Sequence, residues 1–298
     1  MKIDFKVKRA EDCVLIDTKA WLTDGTGISL HKMSGRDVPT GLAKVLDVYD
    51  KTRELKGIVA EGDTVLLSKA AADISQYRKF GVKEGDDRYF HCPIMQVLGV
   101  FRDKDISLNS LSMCTDKILL KKIDAKVNGL FLSEDNTMVG EVVKTGTHKF
   151  DKEWNKLPLS VKIGDIVLIR DNVTTKVNLK EGEYYATEDS MIVGTFTSSE
   201  FDLSSLTILN NYIILESYVQ ETLNSIVLTP VLDFEEEDIT EIYNRDLFKV
   251  VKTDDKIDKI FKNDIVLIDR NFTNYVYVGS KKYFVVAGMD FVTSKINR

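Results

Sequence analysis

The sequence is poor in the residues that build disulfide frameworks, metal sites and catalytic dyads. Among its 298 residues there are only three histidines and three cysteines, Cys13, Cys92 and Cys114. An odd and sparse set of cysteines favours reduced thiols in a cytosol over a secreted disulfide scaffold. The three cysteines and His91 also lack the C-x-x-C spacing of structural zinc sites. We therefore expect no metal site and no disulfide framework.

The chain also lacks long apolar runs and an excess of positive charge. No apolar run reaches the roughly 20 residues that span a bilayer, and residues 1–5 alternate in polarity, unlike a signal peptide. The 41 lysines and arginines are outnumbered by 47 aspartates and glutamates, which gives a net charge of -6. Proteins that bind nucleic acid through its phosphates more often carry a basic face. We expect a cytoplasmic protein with neither a membrane nor a nucleic-acid partner.

One pattern occurs three times along the chain. Its clearest marker is a Gly-Asp or Asn-Asp pair followed by a mostly apolar run, which begins at Gly62, Gly164 and Asn263. The spacings are 164 − 62 = 102 and 263 − 164 = 99 residues. A period of this size corresponds to a whole domain rather than to a solenoid repeat. The predicted domains are residues 1–101, 102–198 and 199–298.

Each copy of the pattern has the composition of β-strands and turns. The apolar runs are short, rich in Val, Ile, Tyr and Phe, and separated by turn-forming residues. Continuous runs such as Ile166–Ile169 indicate strands buried on both faces, as in a small closed barrel. The marker aspartates are expected to close a turn by bonding nearby backbone N–H groups, and not to be catalytic. We predict an all-β chain of three small barrels, with a short helical insertion from Ser68 to Lys79 in the first.

Two segments join the copies, residues 105–113 and 202–209. Both contain leucines at regular spacing, whereas a flexible linker would be rich in Gly, Ser and Pro. We expect both joins to be short and packed, and to fix each copy against the next.

The second copy contains further motifs in a fixed order. They are Ile118-Leu119-Leu120, Gly129-Leu130-Phe131-Leu132, Gly140-Glu141-Val142-Val143 and Val161-Lys162-Ile163-Gly164-Asp165-Ile166-Val167. This order resembles the small co-chaperonin family of the GroES type, in which a mobile loop with an aliphatic tripeptide follows the first strand. The first and third copies resemble the same family more distantly. The resemblance implies three GroES-like barrels in tandem, without a cofactor and without enzymatic activity.

In that family the loop tripeptide docks into an apolar groove of the chaperonin ring. The residues at the matching positions are Ile28 and Leu30, Leu130 and Leu132, and Ile226 and Leu228. On its own such a triplet is typical of a strand interior, but its recurrence at the same offset, with polar neighbours, favours a loop. The resemblance therefore implies a homo-oligomer that binds a chaperonin ring through these residues and assists folding.

Two hypotheses compete with the co-chaperonin interpretation: a capsid protein, which stays open, and an enzyme, which the residues disfavour. Known members of the family form sevenfold rings or carry two barrels per chain, and three barrels do not divide into seven. The alternative is a virion structural or capsid decoration protein that reuses the barrel and contacts other capsid proteins.

An enzyme related to zinc alcohol dehydrogenases would add a G-x-G-x-x-G fingerprint, which is missing. His91 and Cys92 are adjacent and would face opposite sides of a strand, so they do not form a nucleophile pair.

Overall fold

A computed structural model describes most of the chain. The predicted helix lies, apart from Ser68 itself, outside the described residues. Within them regular structure is almost entirely β-strand, and no helix there has the length and hydropathy to cross a bilayer. The described residues are 13–17, 42–48, 57–68, 82–84, 87–102, 106–123, 126–127, 130–131, 137–170, 174–218, 245–269, 273–279, 281–288 and 292–296.

The described strands form three large sheets and two small ones. The first large sheet contains β1 (Cys13–Asp17), β2 (Leu42–Val48), β3 (Thr64–Leu67), β4 (Val82–Glu84), β5 (Asp87–Pro93), β6 (Val97–Phe101) and β7 (Leu111–Met113). The second contains β8 (Lys117–Lys122), β11 (Met138–Thr145), β14 (Ile166–Ile169), β15 (Thr175–Leu179), β16 (Gly182–Glu188), β17 (Ile192–Phe196) and β18 (Leu206–Ile208). The third contains β19 (Tyr212–Ser217), β20 (Arg245–Thr253), β21 (Ile265–Asp269), β22 (Asn274–Val278), β23 (Lys281–Ala287) and β24 (Val292–Ile296). The small sheets pair β9 (Lys126–Val127) with β10 (Leu130–Phe131), and β12 (Lys149–Phe150) with β13 (Lys156–Leu157); Ile94–Gln96 and Asp189–Met191 are single 3-10 turns.

The three large sheets have the same strand order. It is β4-β5-β1-β2-β3-β6-β7 in the first, β15-β16-β8-β11-β14-β17-β18 in the second and β22-β23-β19-β20-β21-β24 in the third. Each sheet also shows a shift in register at the same two places, in the pairs β1–β2, β8–β11 and β19–β20 and in the pairs β3–β6, β14–β17 and β21–β24. Bulges of this kind are specific local features of a fold. The sheets therefore agree in local geometry as well as in strand order.

The closed barrels expected from the sequence are not seen in the described part of the chain. Strand pairing there runs from one edge of each sheet to the other, and no pairing joins the two edges. The continuous apolar run of β3 has another cause: Val65 and Leu67 lie in one apolar cluster, and Leu66 lies in a second cluster on the opposite face. A run buried on both faces therefore indicates packing against two layers, and does not require closure.

The marker aspartates form the same turn three times. In each turn the carboxylate Oδ2 accepts a hydrogen bond from the N–H group three residues earlier: Ala60 to Asp63 at 2.8 Å, Lys162 to Asp165 at 2.9 Å, and Phe261 to Asp264 at 2.8 Å. The preceding residue has a positive φ, 86° at Gly62, 90° at Gly164 and 75° at Asn263. Gly and Asn adopt this conformation at the lowest cost. The predicted turn role of the aspartates is confirmed.

Removing one of these carboxylates should weaken its sheet measurably. We expect Asp165→Ala to lower the free energy of unfolding by about 1 kcal/mol, because the N–H of Lys162 loses its acceptor. Hydrogen exchange in β14 of the full chain measures the local effect, with Asp165→Asn, which keeps one acceptor oxygen, as the milder control. Unchanged exchange in the alanine variant would contradict the assigned role.

The two joins are packed rather than free. Each contributes a strand, β7 or β18, that pairs with the last strand of the preceding sheet. Leu111 of the first join packs with residues of the first and second sheets, among them Leu42, Leu66, Phe101, Leu119, Val177 and Tyr184. Leu206 of the second join packs with residues of the second and third sheets, among them Leu168, Val193, Phe196, Ile214, Val276 and Tyr283. Each join is therefore buried in a cluster that two consecutive sheets share.

Two compact units can be distinguished by their internal contacts. They are residues 1–122, 140–165 and 173–190, and residues 123–139, 166–172 and 191–298. Each unit contains two apolar clusters, one within an outer sheet and one around a join. This division differs from three consecutive domains and does not decide their limits, so the predicted boundaries stay a prediction.

Candidate functional site

The six predicted docking residues fall at one topological position. In each large sheet they belong to the connection between two paired strands, β1 to β2, β8 to β11 and β19 to β20. Leu130 lies in β10, where its backbone is opposite Val127 of β9. The other five lie outside the described residues: Ile28, Leu30, Leu132, Ile226 and Leu228. Whether these side chains are exposed stays a prediction.

The base of the middle connection is held by buried, hydrogen-bonded residues. The N–H of Ile123 donates to the carbonyl of Val139 at 2.9 Å, and Val139 is buried. Next to it, the buried Thr137 accepts a hydrogen bond at Oγ1 from the N–H of Tyr277 at 2.9 Å. The connection therefore leaves and re-enters the sheet at fixed points, between β8 and β11.

The corresponding connections in the other two sheets also begin and end at paired residues. In the first sheet the last pair before the connection is Asp17 opposite Lys44. In the third sheet the N–H of Tyr218 donates to the carbonyl of Leu247 at 3.0 Å, just beyond the end of β19. All three sheets thus hold the two ends of this connection on neighbouring strands.

A buried ammonium group lies at the start of β8. Lys117 is 1% exposed, and its Nζ donates to Asp116 Oδ1 at 2.9 Å and to Glu188 Oε1 at 2.8 Å. Burial acts to lower the pKa of Lys117, but the charges and hydrogen bonds of Asp116 and Glu188 outweigh burial and raise that pKa. The ion pairs therefore stabilise the fold at neutral pH and lose this effect only at alkaline pH. Sequence reasoning missed this group, since a lysine beside an aspartate in a turn is typical of solvated surface.

A second buried charge anchors the hairpin formed by β12 and β13. Asp189 is fully buried; its Oδ2 accepts from Lys149 Nζ at 2.7 Å and its Oδ1 accepts from the N–H of Ser160 at 2.7 Å. Lys149 also donates to Ser160 Oγ at 2.7 Å. One carboxylate thus ties together both sides of the hairpin and the end of β16. We therefore assign these contacts a structural role, which is to hold the hairpin on the end of β16.

Two cysteines, Cys92 and Cys114, have described side chains, and both are buried. Neither forms a disulfide, and each is no more than 5% exposed. Burial is the main influence that raises the pKa of Cys114 to about 12, with Lys117 and Arg102 acting in the opposite direction. That thiol is therefore protonated at neutral pH and a poor nucleophile. Across the described ranges no three His, Cys, Asp or Glu residues are grouped so that they could hold a metal ion.

Comparison with known proteins gives a consistent result for the second sheet. Residues 110–196 match the family described as Chaperonin 10 Kd subunit, Cpn10. The chain is 34% identical over 85 residues to the mitochondrial 10 kDa chaperonin of Arabidopsis thaliana, a match covering 87% of that protein and 27% of this chain. It is 29% identical over 85 residues to the co-chaperonin GroES of Geotalea uraniireducens, covering 88% of that protein and 26% of this chain.

The matched segment contains six of the seven strands of the second sheet and the end of the first join. It begins at residue 110, just before β7, and ends at residue 196, the last residue of β17. It includes the connection from β8 to β11, the Asp165 turn and the hairpin tied by Asp189. Both relatives bear the name of a chaperonin or co-chaperonin. Through this segment, which spans nearly the whole length of those relatives, the chain belongs to the chaperonin 10 family.

Proposed function

We propose that this protein is a co-chaperonin-like chain of three chaperonin 10 modules, which docks on a chaperonin ring and assists protein folding. The observation that carries the proposal is the family match over residues 110–196. Support for the two outer modules comes from the strand order, the paired bulges and the aspartate turn that all three sheets share. The three modules correspond to residues 1–101, 102–198 and 199–298.

The proposed contact is made by the aliphatic triplets in the three connecting segments. Burying each Ile or Leu side chain in an apolar groove contributes about 1.5–3 kcal/mol before the loop is ordered. Ordering a loop offsets much of this, so a single triplet binds weakly. Three triplets on packed modules act together through a high effective concentration. The complex with the chaperonin ring is then stable enough to persist and weak enough to dissociate.

The proposal assigns no cofactor, no catalytic residue and no nucleic-acid or membrane partner to the chain, and it places the protein in the cytoplasm. Homo-oligomerisation belongs to the proposal as well, as the resemblance implies. Three triplets on one chain already provide several contacts with the ring. Oligomerisation adds further loops, but it is not needed for several loops to bind together.

The triplets can be tested by paired changes to serine. We expect Ile28→Ser with Leu30→Ser, Leu130→Ser with Leu132→Ser, and Ile226→Ser with Leu228→Ser to lower affinity for an ATP-loaded chaperonin ring at least tenfold each. All three pairs together should abolish binding, because the apolar contact is then lost on every module. Binding is measured by surface plasmon resonance on an immobilised chaperonin.

Matched controls use exposed apolar residues outside the triplets. Leu157→Ser and Ile163→Ser change side chains that are 40% and 64% exposed, and should leave chaperonin binding unaltered. Hydrogen exchange of the sheets shows whether each variant stays folded. Undiminished binding of a folded variant that lacks all three triplets would refute the docking mode. A chain that incorporates stably into virus particles and never binds a chaperonin would instead support the capsid alternative.

A further inference from the structure

We infer that the hairpin at the edge of a following sheet positions the docking segment of the module before it. A docking segment is the connection that carries one aliphatic triplet, and the middle one, between β8 and β11, contains Leu130 and Leu132. The hairpin next to it is β22–β23 of the third sheet, and Thr137 is the positioning residue at their contact. The inference rests on the proposed function, because it gives this contact an effect on chaperonin binding.

The two ends of the middle docking segment meet at its base, and both contact residues of the hairpin cluster. The N–H of Ile123 donates to the carbonyl of Val139 at 2.9 Å, so the segment is closed at this point. Val139 is 4% exposed and belongs to an apolar cluster, and Ile123 packs against the same cluster. Four residues of the hairpin belong to this cluster: Val276, Val278, Tyr283 and Val285. The base of the segment is therefore held by the third module as well as by its own sheet.

A hydrogen bond fixes the same base to the edge strand of the hairpin. The N–H of Tyr277 donates to Thr137 Oγ1 at 2.9 Å, and Thr137 is 4% exposed. In the part of the chain that the structure describes, β22 is the outermost strand of the third sheet. Thr137 thus supplies to Tyr277 the acceptor that a further strand would otherwise supply.

The hairpin is itself fixed where its two strands turn. The N–H of Gly279 donates to the carbonyl of Phe201 at 3.1 Å, and Phe201 directly precedes the second join. Phe201 is buried in the same apolar cluster, where its ring forms a T-shaped pair with Phe196 at 5.4 Å between centroids. The grouping by internal contacts agrees, because residues 123–139 belong to the unit of residues 191–298 and not to the unit of β8. The hairpin can therefore act as a fixed support for the docking segment.

The first and second modules repeat part of this arrangement. Leu42, the first residue of β2, occupies the position of Val139, since each lies three residues before a valine whose N–H donates to the carbonyl of a marker aspartate at 2.9 Å. Leu42 is 2% exposed and shares an apolar cluster with residues of the β15–β16 hairpin, which are Val177, Leu179, Tyr184 and Ala186. That hairpin is also tied to its join, because the N–H of Leu108 donates to Glu181 Oε2 at 2.9 Å. A hairpin of the following module thus packs at the end of the first docking segment as well.

Fixing the base of a docking segment reduces the conformational freedom that the segment loses when it binds. Its apparent affinity scales with the fraction of chains whose segment is held ready for binding. Loss of the bond between Tyr277 and Thr137 should lower this fraction about fivefold, as expected for one hydrogen bond of ordinary net strength. Because coupling between two sites is reciprocal, docking of the segment should slow hydrogen exchange at the N–H of Tyr277 by the same factor.

The variant Thr137→Val tests the inference, because valine has nearly the shape of threonine but no acceptor oxygen. In the free chain we expect exchange at the N–H groups of Tyr277 and Ile123 to become about fivefold faster, as measured by NMR. Binding to an immobilised ATP-loaded chaperonin ring, measured by surface plasmon resonance, should weaken by about the same factor. Thr137→Ser keeps the hydroxyl group and is the matched control, which should change neither quantity. A folded Thr137→Val variant that matches the unaltered chain in exchange and in affinity would overturn the inference.

A second pair of measurements applies if Thr137→Val does not fold. Tyr277→Pro removes the donor instead of the acceptor, at an edge-strand position where proline is tolerated, and should speed exchange at Ile123 in the free chain. In the unaltered chain, addition of the ring with ATP should slow exchange at Tyr277 and leave exchange at Phe261, in the same module but outside the hairpin, unchanged. Equal rates at Tyr277 with and without a bound ring would overturn the inference.

Failure of the proposed function has a different signature. An unaltered chain that does not bind the ring refutes chaperonin docking, whatever the exchange rates are. The free-chain rates of Thr137→Val and Tyr277→Pro then decide by themselves whether the hairpin holds the base of the segment, and unchanged rates at Ile123 in both variants would show that it does not.

Discussion

Replacing Gly146 with alanine is expected to lower the free energy of unfolding of the second module by about 3 kcal/mol, the upper end of overpacking effects. An added Cβ would lie 2.0 Å from the carbonyl oxygen of Thr115 and 2.7 Å from that of Cys114. These are backbone atoms, so they cannot swing aside as a flexible side chain could. The N–H of Gly146 also donates to the carbonyl of Lys117 at 2.8 Å, which fixes the two segments together.

Hydrogen exchange in β8 and β11 measures this loss in the intact chain. The matched control is Gly164→Asn, because Asn263 has the same role in the third module with a φ of 75°. That variant meets no atom within 4 Å of the new Cβ and should cost about 1 kcal/mol or less. Equal protection from exchange in the Gly146→Ala variant and the unaltered chain would contradict the prediction, because the added Cβ would then be accommodated without a clash.

Replacing Asp189 with alanine should cost about 2–4 kcal/mol. Breaking a buried ion pair by removing one partner typically costs 3–5 kcal/mol, and the lower figure here allows for Lys149, whose side chain is 23% exposed. The N–H of Ser160 would also lose its acceptor. Because these partners come from the hairpin, we expect β12 and β13 to lose exchange protection before the main strands of the module do.

The exposed ion pair between Lys176 and Glu183 is the matched control for Asp189. Its side chains are 41% and 45% exposed, so Glu183→Ala should cost less than 1 kcal/mol. The double change Asp189→Leu with Lys149→Met removes both charges and should recover part of the loss. Urea unfolding followed by Trp154 fluorescence reports on the hairpin when the other tryptophan is removed by Trp21→Phe in every variant. A loss for Asp189→Ala no larger than for Glu183→Ala would contradict the assigned anchoring role.

Much of the fold follows from local sequence patterns, because turns and strands have local causes. The Gly-Asp and Asn-Asp pairs predict their turns since the positive φ and the carboxylate acceptor lie within three residues of each other. Barrel closure, which the run Ile166–Ile169 was taken to indicate, is not seen in the strand pairings of the described residues. A run that is apolar at every position shows that both faces are covered, but not whether the second cover is the same sheet or a neighbouring module.

The parts of the site that were missed depend on long-range contacts. Lys117 and Glu188 lie 71 residues apart in sequence, and no local pattern indicates that the ammonium group is buried between acidic partners. The register shifts are likewise set by pairing across strands. The docking triplets were proposed from the resemblance and their shared offset, and five of their six residues lie outside the described part of the chain. Their role is therefore decided by binding experiments.

The most direct measurement is co-sedimentation of the intact chain with a purified chaperonin ring, with and without ATP. A co-chaperonin-like function predicts that the chain sediments with the ring when nucleotide is present and stays in the supernatant when nucleotide is left out. A folded chain that stays in the supernatant under both conditions, with chaperonins from several sources, would contradict the proposed function while leaving its family membership intact.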